Sequence, residues 1–104
     1  MGKFLMVVTS SAREGRDADF NAWYDGTHLN EICALPGVTA GRRFDAIPVT
    51  PHPQPAPYLA IYEIEAEDPA SVLAEMMRRS EAGEMSMSDA VDAENAKIWM
   101  YRQH

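Results

Sequence analysis

The chain has a single cysteine, Cys33, so no disulfide can form within it. It has no apolar run near the roughly 20 residues that a membrane-spanning helix needs. One lysine and six apolar or β-branched residues precede Ser10-Ser11. That run is too short for the core of a secretory signal and reads better as a strand. A cytoplasmic protein is the default expectation. Positive charge is scarce: 9 basic residues stand against 16 acidic ones, for a net charge of −7. Nucleic acid is a poor partner for such a surface, because its affinity comes mainly from Lys and Arg on phosphates. No basic amphipathic helix suggests a membrane surface. There is no G-x-G-x-x-G, no P-loop and no Ser-His-Asp spacing, which removes the usual phosphate cradles and the serine-hydrolase arrangement.

What is present fits an ordinary globular chain. With 104 residues, 46% hydrophobic and 24% charged, it has the size of one domain spanning residues 1–104 and a core of modest volume. Phe4 to Thr9 reads as a strand buried on both faces. Asp19 to Leu35 has helical periodicity and stops at Pro36-Gly37. Gly26 inside it marks a kink or a close contact. Val38 to Ile47 is a second strand. Pro48 to Pro57 carries five prolines in ten residues, so it is a stiff loop, long enough to cover a cavity mouth or reach a partner. Tyr58 to Glu65 alternates as a third strand. Asp68-Pro69 starts a helix, with Asp as its cap; Val72, Leu73, Met76 and Met77 form its apolar stripe, and it ends near Gly83. Glu84 to Asn95 is irregular. Lys97 to Arg102 closes the chain as a fourth strand, with Trp99 and Tyr101 on one face and Ile98 and Met100 on the other. The order β-α-β-β-α-β predicts an α+β, ferredoxin-like fold. Its strands are apolar on both faces, and helices cover only one, so a homodimer packing sheet against sheet is expected.

The chemistry concentrates in the first helix. At 100° per residue, Phe20, Trp23, Tyr24, Thr27, His28, Glu31 and Leu35 share roughly 140° of arc. A titratable pair, His28 and Glu31, thus falls on an apolar face, where buried polar groups need partners. His28 is the candidate acid or base, with Tyr24 and Glu31 one turn to either side as candidate assistants. Trp23, Tyr62, Trp99 and Tyr101 are candidate walls for an aromatic ligand, with Tyr58 as an alternative to Tyr62. Arg43 on the second strand is a candidate for steadying a developing enolate or phenolate. The plainer readings are a structural histidine satisfied by Glu31, a Glu31–Arg43 salt bridge, and core packing for Trp99 and Tyr101. Cys33 points off the apolar arc and reads as packing. Met76, Met77, Met85 and Met87 read as core and loop packing, with a Met-lined cavity as the alternative. A metal at His28 and Glu31 would need His52 or His104 to complete its ligands, and a haem would need His28 as axial ligand. Neither is expected.

Strand, helix with Trp23-Tyr24-x-x-x-His28, Leu35-Pro36-Gly37-Val38 and a closing aromatic strand together resemble the EthD-like family of the dimeric α+β barrel superfamily. The resemblance implies two sheets facing each other in a homodimer, with a cavity in each subunit between helices and sheet. Relatives include cofactor-independent monooxygenases, polyketide cyclases, muconolactone isomerase and haem-degrading enzymes. It implies a small-molecule protein doing cofactor-independent proton-transfer chemistry on an aromatic or polyketide-like compound, by oxygenation, cyclisation or isomerisation. The alternatives are a non-catalytic ligand-binding or accessory protein of a degradation pathway, and a structural dimer with an incidental cavity. The proline loop and Gly26 depart from the family pattern.

Overall fold

A computed structural model describes all 104 residues. Strand β1 (Gly2–Ser10) leads to helix α1 (Asp17–Trp23), a single π turn (Tyr24–His28) and helix α2 (Leu29–Cys33). Strands β2 (Val38–Asp45) and β3 (Tyr58–Ala66), helix α3 (Ala70–Glu81), a short 3₁₀ turn (Ala93–Asn95) and strand β4 (Lys97–Arg102) follow. The four strands form one sheet in the order β2-β3-β1-β4, and every pairing is antiparallel. This is the α+β, ferredoxin-like arrangement.

The central strands carry the core. Phe4 and Met6 of β1 and Ala60, Tyr62 and Ile64 of β3 point to the helical side, where they meet Phe20, Tyr24, Ile32, Leu35 and Val72. Each large apolar side chain buried here contributes about 1.5–3 kcal/mol. The element ends have local causes. Asp17 and Asp19 in the first turn of α1 favour its positive end, and Tyr58 hydrogen-bonds Asp17 across from β3. Asp68 accepts the Ala70 N–H at 3.0 Å and so caps α3 as the sequence predicts. Gly37 stops the first helical segment with φ of 95°, a region that disfavours side chains. Gly41 on β2 is needed for another reason: a Cβ there would sit 2.7 Å from Cys33 Sγ and 2.7 Å from a Tyr62 ring carbon.

The first helix is not the uniform element that a helical wheel assumes. The π turn around Gly26 takes up one extra residue and turns everything after it by about one wheel position, roughly 100°. Thr27, expected on the apolar arc, is exposed, while Ile32 is buried. Cys33, expected to point away, packs beside Gly41 instead. Gly26 itself touches nothing within 4 Å, so it marks the kink and not a close contact. Strand bounds also shift: β1 runs from Gly2 to Ser10, β2 stops at Asp45 and β3 continues to Ala66. The proline loop is exposed throughout most of its length and lines neither of the two main cavities.

The far side of the sheet has no cover. Leu5, Phe44, Trp99 and Tyr101 are each about 38–58% exposed there, with Val7, Leu59 and Ile61 between them half-buried. Arg42 pairs with Glu63 at 3.0 Å on the same face.

Candidate functional site

A cavity of about 540 Å³ opens between the first helical segment, α3 and the helical face of the sheet. That volume is within the roughly 300–1,000 Å³ range of small-molecule sites. Its floor is Val8 of β1 and Ile98 of β4. One wall is Phe20, Trp23, Tyr24, His28 and Ile32; the other is Met76, Met77 and Ser80 of α3. The roof is the irregular segment after α3, which contributes Met85, Ser86, Met87 and Ser88. All four methionines that sequence reasoning left between packing and cavity lining therefore line it, and their soft, flexible side chains suit a surface that adapts to a ligand.

His28 sits at the hinge of this wall, as the last residue of the π turn. Its ring stacks on Trp23, with centroids 4.4 Å apart, and meets the Tyr24 ring edge-on at 4.8 Å. Nδ1 is buried and 3.5 Å from Glu31 Oε1, too long for a good hydrogen bond. Burial pushes the imidazole below its ordinary value near 6.5, and the Glu31 carboxylate only partly offsets this. The ring is thus held mainly neutral at pH 7.

Glu31 has a second task. Its carboxylate accepts the Ser86 N–H at 2.7 Å, and Trp23 Nε1 donates to Ser86 Oγ at 3.0 Å. The helix therefore holds the roof down through Ser86, a link between positions 55 apart in sequence that no local pattern reveals. Tyr24 turns its hydroxyl away to the Tyr62 hydroxyl, 2.9 Å off and buried. Burial raises the pKa of both phenols, so the pair stays protonated.

Several sequence candidates fall elsewhere. Tyr62 is fully buried behind Tyr24 and does not line the cavity. Arg43 is taken up by Asp25 Oδ1 at 2.8 Å and Asn21 Oδ1 at 2.7 Å, with its guanidinium 4.5 Å from the Tyr24 ring centre. It braces the π turn from outside the cavity, and its carboxylate partner is Asp25 rather than Glu31. Trp99 and Tyr101 pair with Val7 and Leu5, and directly opposed residues share a face. Both aromatics are therefore on the uncovered side, and the strand residue that reaches the cavity is Ile98. The expectation of strand aromatics in the wall is corrected on this point: the aromatics there come from the helix. His52 and His104 do not approach His28, and no three His, Cys, Asp or Glu side chains gather where a metal could be held.

Neither a protein-family model nor a curated protein sequence matches the chain. Solved structures do. An ethyl tert-butyl ether degradation (EthD) family protein from Bacillus halodurans C-125 superimposes with a TM-score of 0.65 at 15% identity, over 100% of both chains. The chain shares the ferredoxin-like α+β fold of this EthD family protein. A dimeric ferredoxin-like protein of unknown function from Jannaschia sp. CCS1 matches this EthD-like fold at TM-score 0.61 and 18% identity, over 95% of this chain and 97% of that one. SnoaB, a cofactor-independent oxygenase from Streptomyces nogalater, matches at 0.58 and 13%, over 97% and 92%. At these identities the likeness carries the fold alone. No helix is long and apolar enough to cross a membrane.

Proposed function

We propose that this EthD-like chain is a homodimeric small-molecule enzyme that moves a proton on an aromatic or polyketide-like compound without a cofactor, with His28 as its base. The observation that carries the proposal is a neutral, half-buried imidazole stacked on Trp23 in the wall of an apolar cavity of about 540 Å³. A base of lowered pKa in a dry site suits removal of a proton from a phenol, enol or activated C–H. Nδ1 faces Glu31, so Nε2 is the nitrogen left for the ligand. The carbanion or phenolate formed is the common entry to oxygenation, cyclisation and isomerisation. The fold shared with a cofactor-independent oxygenase supports this reading.

Two of the three candidate catalytic residues take other parts. Glu31 lies beside His28 Nδ1 and holds the roof through Ser86, and Tyr24 provides a ring wall. That the Tyr24 hydroxyl is bonded to Tyr62, away from a ligand, favours the second reading: a ligand-binding or accessory protein using the same cavity with no turnover. The uncovered sheet face supports the homodimer, with Leu5 and Val7 of β1 near the middle of that face and Trp99 and Tyr101 on its β4 edge; we take residues 1–104 as one domain and the cytoplasm as its compartment.

His28→Gln separates the readings. If His28 is the base, turnover of an accepted aromatic substrate falls roughly 10²–10⁴-fold while melting stays nearly unchanged. If it is structural, melting reports a loss of about 1–3 kcal/mol, from the partner left buried. A variant that melts early yet turns over normally would overturn the catalytic role.

A further inference from the structure

The cavity has an unusual charge balance. The chain carries 16 acidic residues against 9 basic ones, yet no Asp or Glu lines this cavity, and Arg13 does. The other loop, strand and helix arginines near carboxylates are paired: Arg16 with Asp19 and Asp89, Arg42 with Glu63, Arg43 with Asp25, and Arg78 and Arg79 with Glu75. Of the remaining two, Arg102 lies over the Phe4 ring and does not line this cavity, and Arg13 has no carboxylate partner. It is nevertheless held in place. Its backbone N–H donates to Ala90 O at 2.8 Å, its Nε donates to Val91 O at 3.2 Å, and the adjacent Ala12 bridges Val91. Both terminal nitrogens remain without a protein acceptor, on a side chain fixed at its root. A guanidinium offers its donors in a rigid fork that suits a carboxylate or a delocalised oxyanion.

We infer that Arg13 is the anion-recognising residue of this cavity, and that the ligand is an apolar aromatic compound bearing a carboxylate or comparably acidic oxygen at one end. This inference rests on the cavity being the ligand site proposed above and names the class of ligand. The apolar body would lie among Trp23, Met76 and Met85, with the anionic end at Arg13 on the rim. Two features of the surroundings agree. An acidic exterior repels anions, so a concavity with no Asp or Glu in its lining is where an anionic ligand meets less opposition. And the Ser80, Ser86 and Ser88 positions around the cavity add hydroxyls without adding charge.

The test compares two probes of equal shape, 2-naphthoate and its neutral analogue 2-naphthamide, by calorimetric titration on the wild-type chain and on Arg13→Gln and Arg13→Lys. Wild type is expected to bind the naphthoate roughly tenfold or more tighter than the amide, as one charge-assisted contact supplies. Added salt should weaken that preference. Arg13→Gln should abolish it and leave amide binding unchanged. Arg13→Lys, which lacks Nε but keeps the charge, should retain part of it; retention shows that charge and not the Val91 contact is responsible. If both probes bind wild type equally and Arg13→Gln changes nothing, the anion inference is overturned while the cavity reading stands. If neither probe binds wild type, the cavity reading falls and takes the inference with it.

Discussion

Two aromatic pairs close in character, Trp23–Tyr24 and Trp99–Tyr101, lie on opposite sides of one sheet. The first is set in a cavity wall where Trp23 Nε1 bonds Ser86 and the Tyr24 hydroxyl bonds Tyr62, beside an imidazole stacked on Trp23 whose buried Nδ1 has no hydrogen-bond partner. The second is 38% and 58% exposed and stands among Leu5 and Phe44, which are also exposed. A concave, mostly apolar wall with a few convergent polar groups is the usual form of a ligand site. An uncovered apolar face of this kind marks an interaction surface. The same residue types therefore stand in a cavity wall on one side and on an open apolar face on the other. Sheet side, more than residue type, decides which.

A charge placed at one of these faces should break one function and spare the other. Trp99→Glu has the largest expected effect on the uncovered side. An aromatic anchor in an interface contributes about 2 kcal/mol or more, so if Trp99 packs against the second copy the dimer dissociation constant should rise by roughly 30-fold or more. Light scattering at micromolar concentration reads this directly. The wild type should run as a dimer burying at least about 1,200 Å² in total, and Trp99→Glu as a monomer that still binds 2-naphthamide. A wild type that is already monomeric would remove the assembly half of the comparison.

On the cavity side, Gly41→Ala should cost about 1–3 kcal/mol, because the new methyl meets Cys33 and the pinned Tyr62 ring in a packed interior. It should leave the dimer intact, since Gly41 faces the helices. Urea denaturation checks the first point and light scattering the second. The smallest effect lies outside both faces. Asp68→Ala removes the side-chain acceptor of the Ala70 N–H and should cost roughly 0.5–2 kcal/mol with no effect on binding or assembly. An unchanged denaturation midpoint would count against the cap.

The division between the faces was only partly legible in the sequence. Element order came from period-2 and period-3.6 patterning together with Pro36-Gly37 and Asp68-Pro69, and those signals are local. Which side Trp99 and Tyr101 occupy was not legible, because β1 and β3 are apolar on both faces and alternation separates two faces without naming them. The placement of His28 beside Glu31 followed from their spacing, but their surroundings did not. A wheel at constant 100° per residue carries past Gly26 as though the helix were regular. The π turn displaces it by one position, bringing Ile32 in and sending Thr27 out. The roof escaped altogether. Glu84 to Ser88 has no period that favours a regular element, and the bond from Ser86 to Glu31 crosses 55 positions. Arg13 gave no signal either, because its importance lies in which carboxylates are absent around it.

Protonation of His28 links the account to pH with a definite sign. Its folded pKa is lowered, mainly by burial, so the unfolded chain binds the proton more readily than the fold does. Stability from this group is present above the ordinary value near 6.5 and is lost as pH falls through it toward the lowered folded value. The central claim, that His28 is a neutral base looking into an apolar cavity, is tested most directly by following its ring nitrogens with ¹H–¹⁵N correlation spectra from pH 4 to 8, with and without saturating 2-naphthamide. A neutral base there should show a midpoint below the ordinary histidine value, a neutral ring at pH 7, and ring shifts that move when the ligand is added. A midpoint at or above the ordinary value, unmoved by ligand, would contradict it.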